Sequence, residues 1–123
     1  MGGRHSQLEH LDRPGVTESE DQRIGAVFAA LADPTRRTVM ARMAQAGPLT
    51  ASELATELPV TRQAVVKHLQ ALGHAGLVHA ERQGREVRYR LDPAAFVGAR
   101  TWMDEVGARW DRRLAALTEH LSR

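Results

Sequence analysis

VTRQAVVKHLQALGHAGLV, residues 60–78, carries two patterns in succession, and the fold turns on how its first half is read. With Thr61 at zero and about 100° per residue, Ala64, Val65, His68, Leu69, Ala71 and Leu72 fall within roughly 80° of one direction. That is the buried stripe of an amphipathic helix. Arg62, Gln63, Val66, Lys67, Gln70 and His74 fill the opposite arc, so Val66 points away from the core, among polar neighbours. A helix that reads the DNA major groove needs this mixture. Arginine and glutamine make bidentate bonds to base edges, and a small apolar group meets a thymine methyl. A lysine neutralises a phosphate. The alternative is a solvated back with one exposed valine, since single exposed apolar residues are common. The flanking segments decide between the two.

Upstream, Thr50-Ala51-Ser52-Glu53 fits a capping box at the start of a short helix with Leu54, Ala55 and Leu58 apolar. Pro59 ends that helix and holds Leu58 extended. Thr61 then caps the helix that follows, after a connection of about three residues, LPV or close to it. A short helix, a tight turn and a longer helix make the helix-turn-helix pattern. Further upstream, Ile24, Val27, Phe28 and Leu31 recur at helical spacing over about 21–31. Asp33-Pro34 supplies an N-cap and a first-turn proline for a helix that buries Val39, Met40 and Met43 and stops near Gly47-Pro48.

Downstream of Gly76 the period changes from 3.6 to 2. LVHAER and EVRYRL flank Gln83-Gly84-Arg85, a glycine-centred turn, with Val87, Tyr89 and Leu91 on one face and Glu86, Arg88 and Arg90 on the other. This is a two-stranded hairpin with a basic tip. Asp92-Pro93 caps one long helical pattern that runs to about Leu121. Reading helix and basic hairpin together point to DNA, with Thr61, Arg62, Gln63, Val66, Lys67 and Gln70 in the major groove. Arg82, Arg85 and Arg88 of the wing are expected on the backbone or in the adjacent minor groove.

Charge is placed accordingly. The 123-residue chain has a formal net charge of only +2. Residues 59–91, however, carry Arg62, Lys67, Arg82, Arg85, Arg88 and Arg90 against only Glu81 and Glu86, while residues 1–33 are net acidic. Lys67 is the sole lysine, and arginine is the residue suited to forked contacts with phosphate and guanine. Asymmetry of this kind points to a polyanionic partner; a solvated Arg-rich surface is the alternative. The length suits one domain, residues 21–122, behind a polar tail, residues 1–20, broken by Pro14-Gly15. Gly2 and Ser6 match a myristoylation pattern, but nothing else points to a membrane. There is no apolar signal segment, and a cytoplasmic location is expected.

The assembled residues resemble the ArsR-type winged helix-turn-helix repressors. LADPTRRTVMARM is similar to the family's second-helix signature, LTASELATEL with VTRQAVVKHLQALGHAGLV to its helix-turn-helix, and REVRYRLDP to the end of its wing. The resemblance covers about residues 22–122. It implies a mainly α fold with a small β-hairpin wing. It also implies a homodimer paired through its first and last helices (Ile24 and Phe28 on the former) and repression from an inverted repeat in double-stranded DNA. Many members sense metals through cysteines in an E-L-C-x-C-D-L-like run. Here the run reads Glu53-Leu54-Ala55-Thr56-Glu57-Leu58, and the chain has no cysteine. Nor do Asp104 and His120 have the spacings of the C-terminal zinc sites. No metal and no cofactor is expected.

In the last helix Trp102, Val106, Trp110, Leu114, Leu117 and Leu121 recur at three- and four-residue steps. A dimer interface is the favoured reading, because buried tryptophans anchor interfaces. Packing within one subunit, or a pocket for an apolar effector near Trp102 and Trp110, are the alternatives. Gly98 and Gly107 could let two helices approach closely across the dimer. His68 reads as a partly buried histidine, and His74 and His79 lack a carboxylate at ligand spacing. No nucleophile elbow, phosphate-binding loop or HExxH supports catalysis. A winged helix used for protein interaction remains as a further alternative, although the basic, aromatic-free face of the reading helix argues against it.

Overall fold

The computed structural model describes residues 18–122. The polar tail expected over residues 1–20 lies outside the described residues as far as position 17, as does the Gly2/Ser6 pattern. From Glu18 the chain is already helical, three residues before the expected start.

Among the described residues, five α-helices and a small sheet follow in the order α1 (Glu18–Leu31), α2 (Pro34–Ala46), β1 (Leu49–Thr50), α3 (Ala51–Glu57), α4 (Arg62–His74), β2 (Val78–Gln83), β3 (Glu86–Leu91) and α5 (Phe96–Leu121). A 3₁₀ turn, Pro93–Ala95, leads into α5. The starts are written locally. Asp33 accepts the amides of Thr35 and Arg36 at 2.8 and 3.1 Å at the head of α2. Thr50 and Glu53 form the reciprocal capping box of α3 at 3.1 and 3.3 Å. Thr61 accepts the amide of Ala64 at 3.1 Å. Leu58 is extended (φ −113°, ψ 146°) ahead of Pro59, which ends α3.

The switch from helix to strand after Gly76 also has a local cause. Gly76 takes φ +77°, its amide bonds the Gly73 carbonyl at 3.0 Å, and the Leu77 amide bonds the Leu72 carbonyl at 3.0 Å. These are the two bonds of a Schellman motif, and its usual apolar contact is present because Leu72 and Leu77 are both fully buried. The chain therefore leaves α4 with Val78 already directed into the core.

The core gathers Val27 of α1, Val39 and Met43 of α2, Leu54 of α3, Val65, Leu69 and Leu72 of α4, and Leu77. It fixes α3 against α4 in the helix-turn-helix, with Leu58–Thr61 as the connection.

Two corrections concern the sheet. It has three strands in the order β1-β3-β2, all antiparallel, where a two-stranded hairpin was expected. The extra strand is two residues long, with Leu49 opposite Tyr89 and Thr50 opposite Arg88. Two residues carry no alternation to read. The hairpin turn is also tighter than expected. Gln83 pairs with Glu86, leaving Gly84-Arg85 as a two-residue loop with φ +63° at Gly84 alone, the pattern of a type II′ turn.

The first part of α5 packs on α1: the rings of Phe28 and Trp102 meet edge-to-face, 5.7 Å apart at 71°. Gly98 serves this contact, since a Cβ there would lie 3.2 Å from Ile24 Cγ1. The close approach is therefore within the chain. A Cβ at Gly107 would meet nothing within 4 Å.

Candidate nucleic-acid interface

Arg62, Gln63, Lys67 and Gln70 are exposed on the side of α4 away from Val65, Leu69 and Leu72, and Thr61 is exposed as the N-cap at its start. His68 is half-buried at the edge of the stripe. Val66 departs from the sequence reading. It is half-buried and packs against the margin of the core. The reason is the sheet: Val66 faces a cleft of about 400 Å³ whose other walls include Ser52, Arg62, Arg85, Val87 and Tyr89. The wing folds beside this part of α4, so the valine's arc is partly covered.

Arg62 and Arg85 thus border the same cleft, one from the helix and one from the wing tip. Arg62 donates Nε to Ser52 Oγ at 3.0 Å, and its Nη groups make no hydrogen bond among the described residues. A guanidinium anchored at Nε keeps its outer edge available for a bidentate contact. On the wing, Arg82 and Arg85 are exposed and without partners among the described residues. Arg90 is held by Glu81 across the hairpin at 2.7 Å.

Arg88, expected at DNA, has 30 % of its side chain exposed and in the free chain is turned onto Glu53 (3.1 Å) and Glu86 (3.2 Å). Its position opposite Thr50 in the unforeseen β1–β3 pairing directs it there. Ser52 and Glu53 are accordingly residues the sequence reading missed as parts of this surface. The capping box marked Glu53, but only as a local cap.

Elsewhere the fold joins residues far apart in sequence. His79 Nε2 lies 2.6 Å from Asp92 Oδ2, so the histidine read as lacking a carboxylate has one, supplied from 13 residues away. This bond ties the wing root to the turn that starts α5. Arg37 donates to the Leu31 carbonyl at 2.6 Å. No group of three or more His, Cys, Asp or Glu side chains able to hold a metal exists among the described residues. In α3, Glu53 and Glu57 are engaged by Thr50, Arg88 and Arg42. These residues do not fit a thiolate metal site. No helix among the described residues is long and apolar enough to cross a membrane.

Four carboxylates are held below their ordinary range. The backbone N–H of Arg36 does this for Asp33, that of Thr50 for Glu53, the Arg42 guanidinium for Glu57 and the His79 ring for Asp92. A depressed folded-state pKa gives stability that is present above the unfolded value and lost as pH falls through the folded one. The urea midpoint should therefore hold steady from neutral pH to the ordinary carboxylate range and fall below it. Asp33→Asn, which can still cap α2, should show a shallower acid decline. An equally steep decline in that variant would remove Asp33 from the set.

The proposed dimer residues divide into two groups. Ile24, Phe28 and Trp102 are half-buried and spent largely on contacts within the chain. Val106, Trp110, Leu114, Leu117 and Leu121 are 44, 61, 45, 53 and 75 % exposed. At about 100° per residue, all five lie within an arc of roughly 80° that also contains Ala99, which is buried. One face of α5 is thus covered at Ala99 and bare from Met103 onward. A separate cleft of about 770 Å³ lies between α1, the end of α4 and the start of α5, with Ile24, Val27, His74, His79 and Trp102 among its walls. Trp110 does not line it.

Comparison with known proteins agrees with this geometry. A helix-turn-helix domain model matches residues 31–81. The chain is 42% identical over 92 residues to the HTH-type transcriptional regulator Rv2034 of Mycobacterium tuberculosis, covering 75% of this chain and 82% of that protein. It is 30% identical over 97 residues to the arsenical resistance operon repressor of Escherichia coli, covering 79% and 83%. Among solved structures, an ArsR-like transcriptional regulator from Rhodococcus matches with TM-score 0.70 and 45% identity, over 80% of this chain and 92% of that one. The homodimeric winged helix-turn-helix domain of Mb0332 from Mycobacterium bovis matches with TM-score 0.53 and 28% identity, over 78% and 82%. The chain belongs to the ArsR-type family of winged helix-turn-helix proteins and is a DNA-binding transcriptional regulator.

Proposed function

We propose that the protein is a repressor that binds an inverted-repeat operator as a homodimer, one α4 entering the major groove at each half-site. The observation that carries this reading is the exposed polar face of α4 beside Arg82 and Arg85, which are exposed and without partners among the described residues. Thr61, Arg62, Gln63, Lys67 and Gln70 face the groove, with Val66 at its wing-side margin. Arg82 and Arg85 reach the phosphate backbone or the adjacent minor groove. Repression is the activity in the name of the Escherichia coli relative, and homodimerisation is in that of the Mycobacterium bovis domain.

The dimer is supported by the bare face of α5. Its last 18 residues, counted from Asp104, extend past the domain with their apolar stripe uncovered. Such a helix owes most of its stability to packing rather than propensity. A second copy related by a twofold axis presents the same stripe. Selection of bound sequences from a random duplex pool tests the whole reading. The expected outcome is an inverted repeat with half-sites about one helical turn, or a multiple of it, apart. Enrichment of single, unpaired half-sites would overturn the dimer, and no enrichment would overturn sequence-specific binding.

A second reading adds a small-molecule effector, for which the cleft beside Trp102 offers space. It lies against the wing root and the start of α5, so a ligand there would touch both the DNA-facing and the dimerisation elements.

A further inference from the structure

Glu53, which closes the capping box of α3, also accepts a hydrogen bond from Arg88 of the wing. We propose that Glu53 and Arg88 form a strut that sets the wing at its working angle to α4, so that both are needed for tight DNA binding although neither touches DNA. This rests on the DNA-binding reading and deepens it by assigning two positioning residues.

The geometry builds from the sheet. Pairing of Thr50 with Arg88 sets the wing strand against the N-cap of α3. Glu53, three residues into that helix, reaches back to the Thr50 amide at 3.3 Å, and the same Oε1 accepts Arg88 Nη1 at 3.1 Å. Nη1 also reaches the Pro48 carbonyl at 3.4 Å, and Nη2 meets Glu86 Oε2 at 3.2 Å. One guanidinium therefore links the segment before β1, the first turn of α3 and the base of the wing turn. Beyond this link, β1 holds the wing by only two residues, while Arg82 and Arg85 sit out at the tip.

Half-exposed ion pairs contribute little to folding, so the strut's effect is on orientation. A wing that must be ordered as it meets DNA loses affinity for that reason. Glu53→Gln keeps the capping box, since glutamine also serves there, and removes the charge that ties Arg88 to α3, leaving Glu86 as its other carboxylate.

The test compares operator affinity and its salt dependence in the full chain and three variants. The strut predicts that Glu53→Gln weakens binding about three- to tenfold, even though it removes a negative charge near the phosphates. Arg88→Gln should weaken it to the same degree, the double variant no further, and the slope of log affinity against log salt should stay at the wild-type value in each. Arg88→Lys should recover part of the loss, because lysine can meet Glu53 but not all three partners. If Arg88 were a phosphate contact, Glu53→Gln would bind as well as wild type or better, and Arg88→Gln would reduce the slope by about 0.9. Either result overturns the strut. Failure of the wild type to bind any duplex in the same assay would instead defeat the DNA-binding reading. Unchanged urea midpoints of the variants separate orientation from unfolding.

Discussion

Leu117→Glu is expected to leave the domain folded, convert the proposed homodimer to a monomer and reduce operator affinity by roughly a hundredfold or more, the cost of burying an unpaired charge twice in one interface. Leu117 lies on the same line of α5 as buried Ala99, yet is 53 % exposed in the single chain. It makes no contribution to the core, so the substitution spares the helix-turn-helix and wing. By twofold symmetry each change counts twice. A monomer keeps one reading helix and loses the second half-site, which is why a substitution far from DNA has so large an effect. Sedimentation and anisotropy titration on the same preparations check it. A Leu117→Glu protein that stays dimeric with wild-type affinity would remove the distal face of α5 from the interface.

What the sequence made legible was local. The caps at Asp33, Thr50 and Thr61, the break at Pro59 and the exit at Gly76 each depend on residues within five positions, and each stands in the structure where the sequence put it. The face of α4 was legible for the same reason, because a helix repeats its direction every few residues. What could not be read depended on pairing across distance. β1 is too short to show a period, and without it nothing indicated that Arg88 would lie opposite Thr50 and turn to Glu53, 35 residues away. Val66 likewise has an arc that is open on an isolated helix and partly closed once the wing lies beside it. The approach of Asp92 to His79 follows from the strand returning to its root, which spacing along the chain conceals.

Arg62→Ala is the sharper test of the reading surface, with an expected loss of about 1–3 kcal/mol on the operator and a relaxed preference at one base position. The guanidinium starts from a defined place, its Nε on Ser52 Oγ at 3.0 Å, so the outer edge is presented with less ordering left to do on binding. Base reading and phosphate neutralisation leave different signatures, and Lys67 supplies the comparison. Lys67→Ala should weaken operator and random duplex alike and lower the salt slope by about 0.9. Arg62→Ala should cost the operator far more than random DNA, because a lost base contact removes discrimination, whereas a lost phosphate contact removes only attraction. Titration of both variants against operator and scrambled duplex over a range of salt separates them. Equal losses on the two duplexes for Arg62→Ala would place Arg62 on the backbone and leave Gln63 and Gln70 as the base readers of α4.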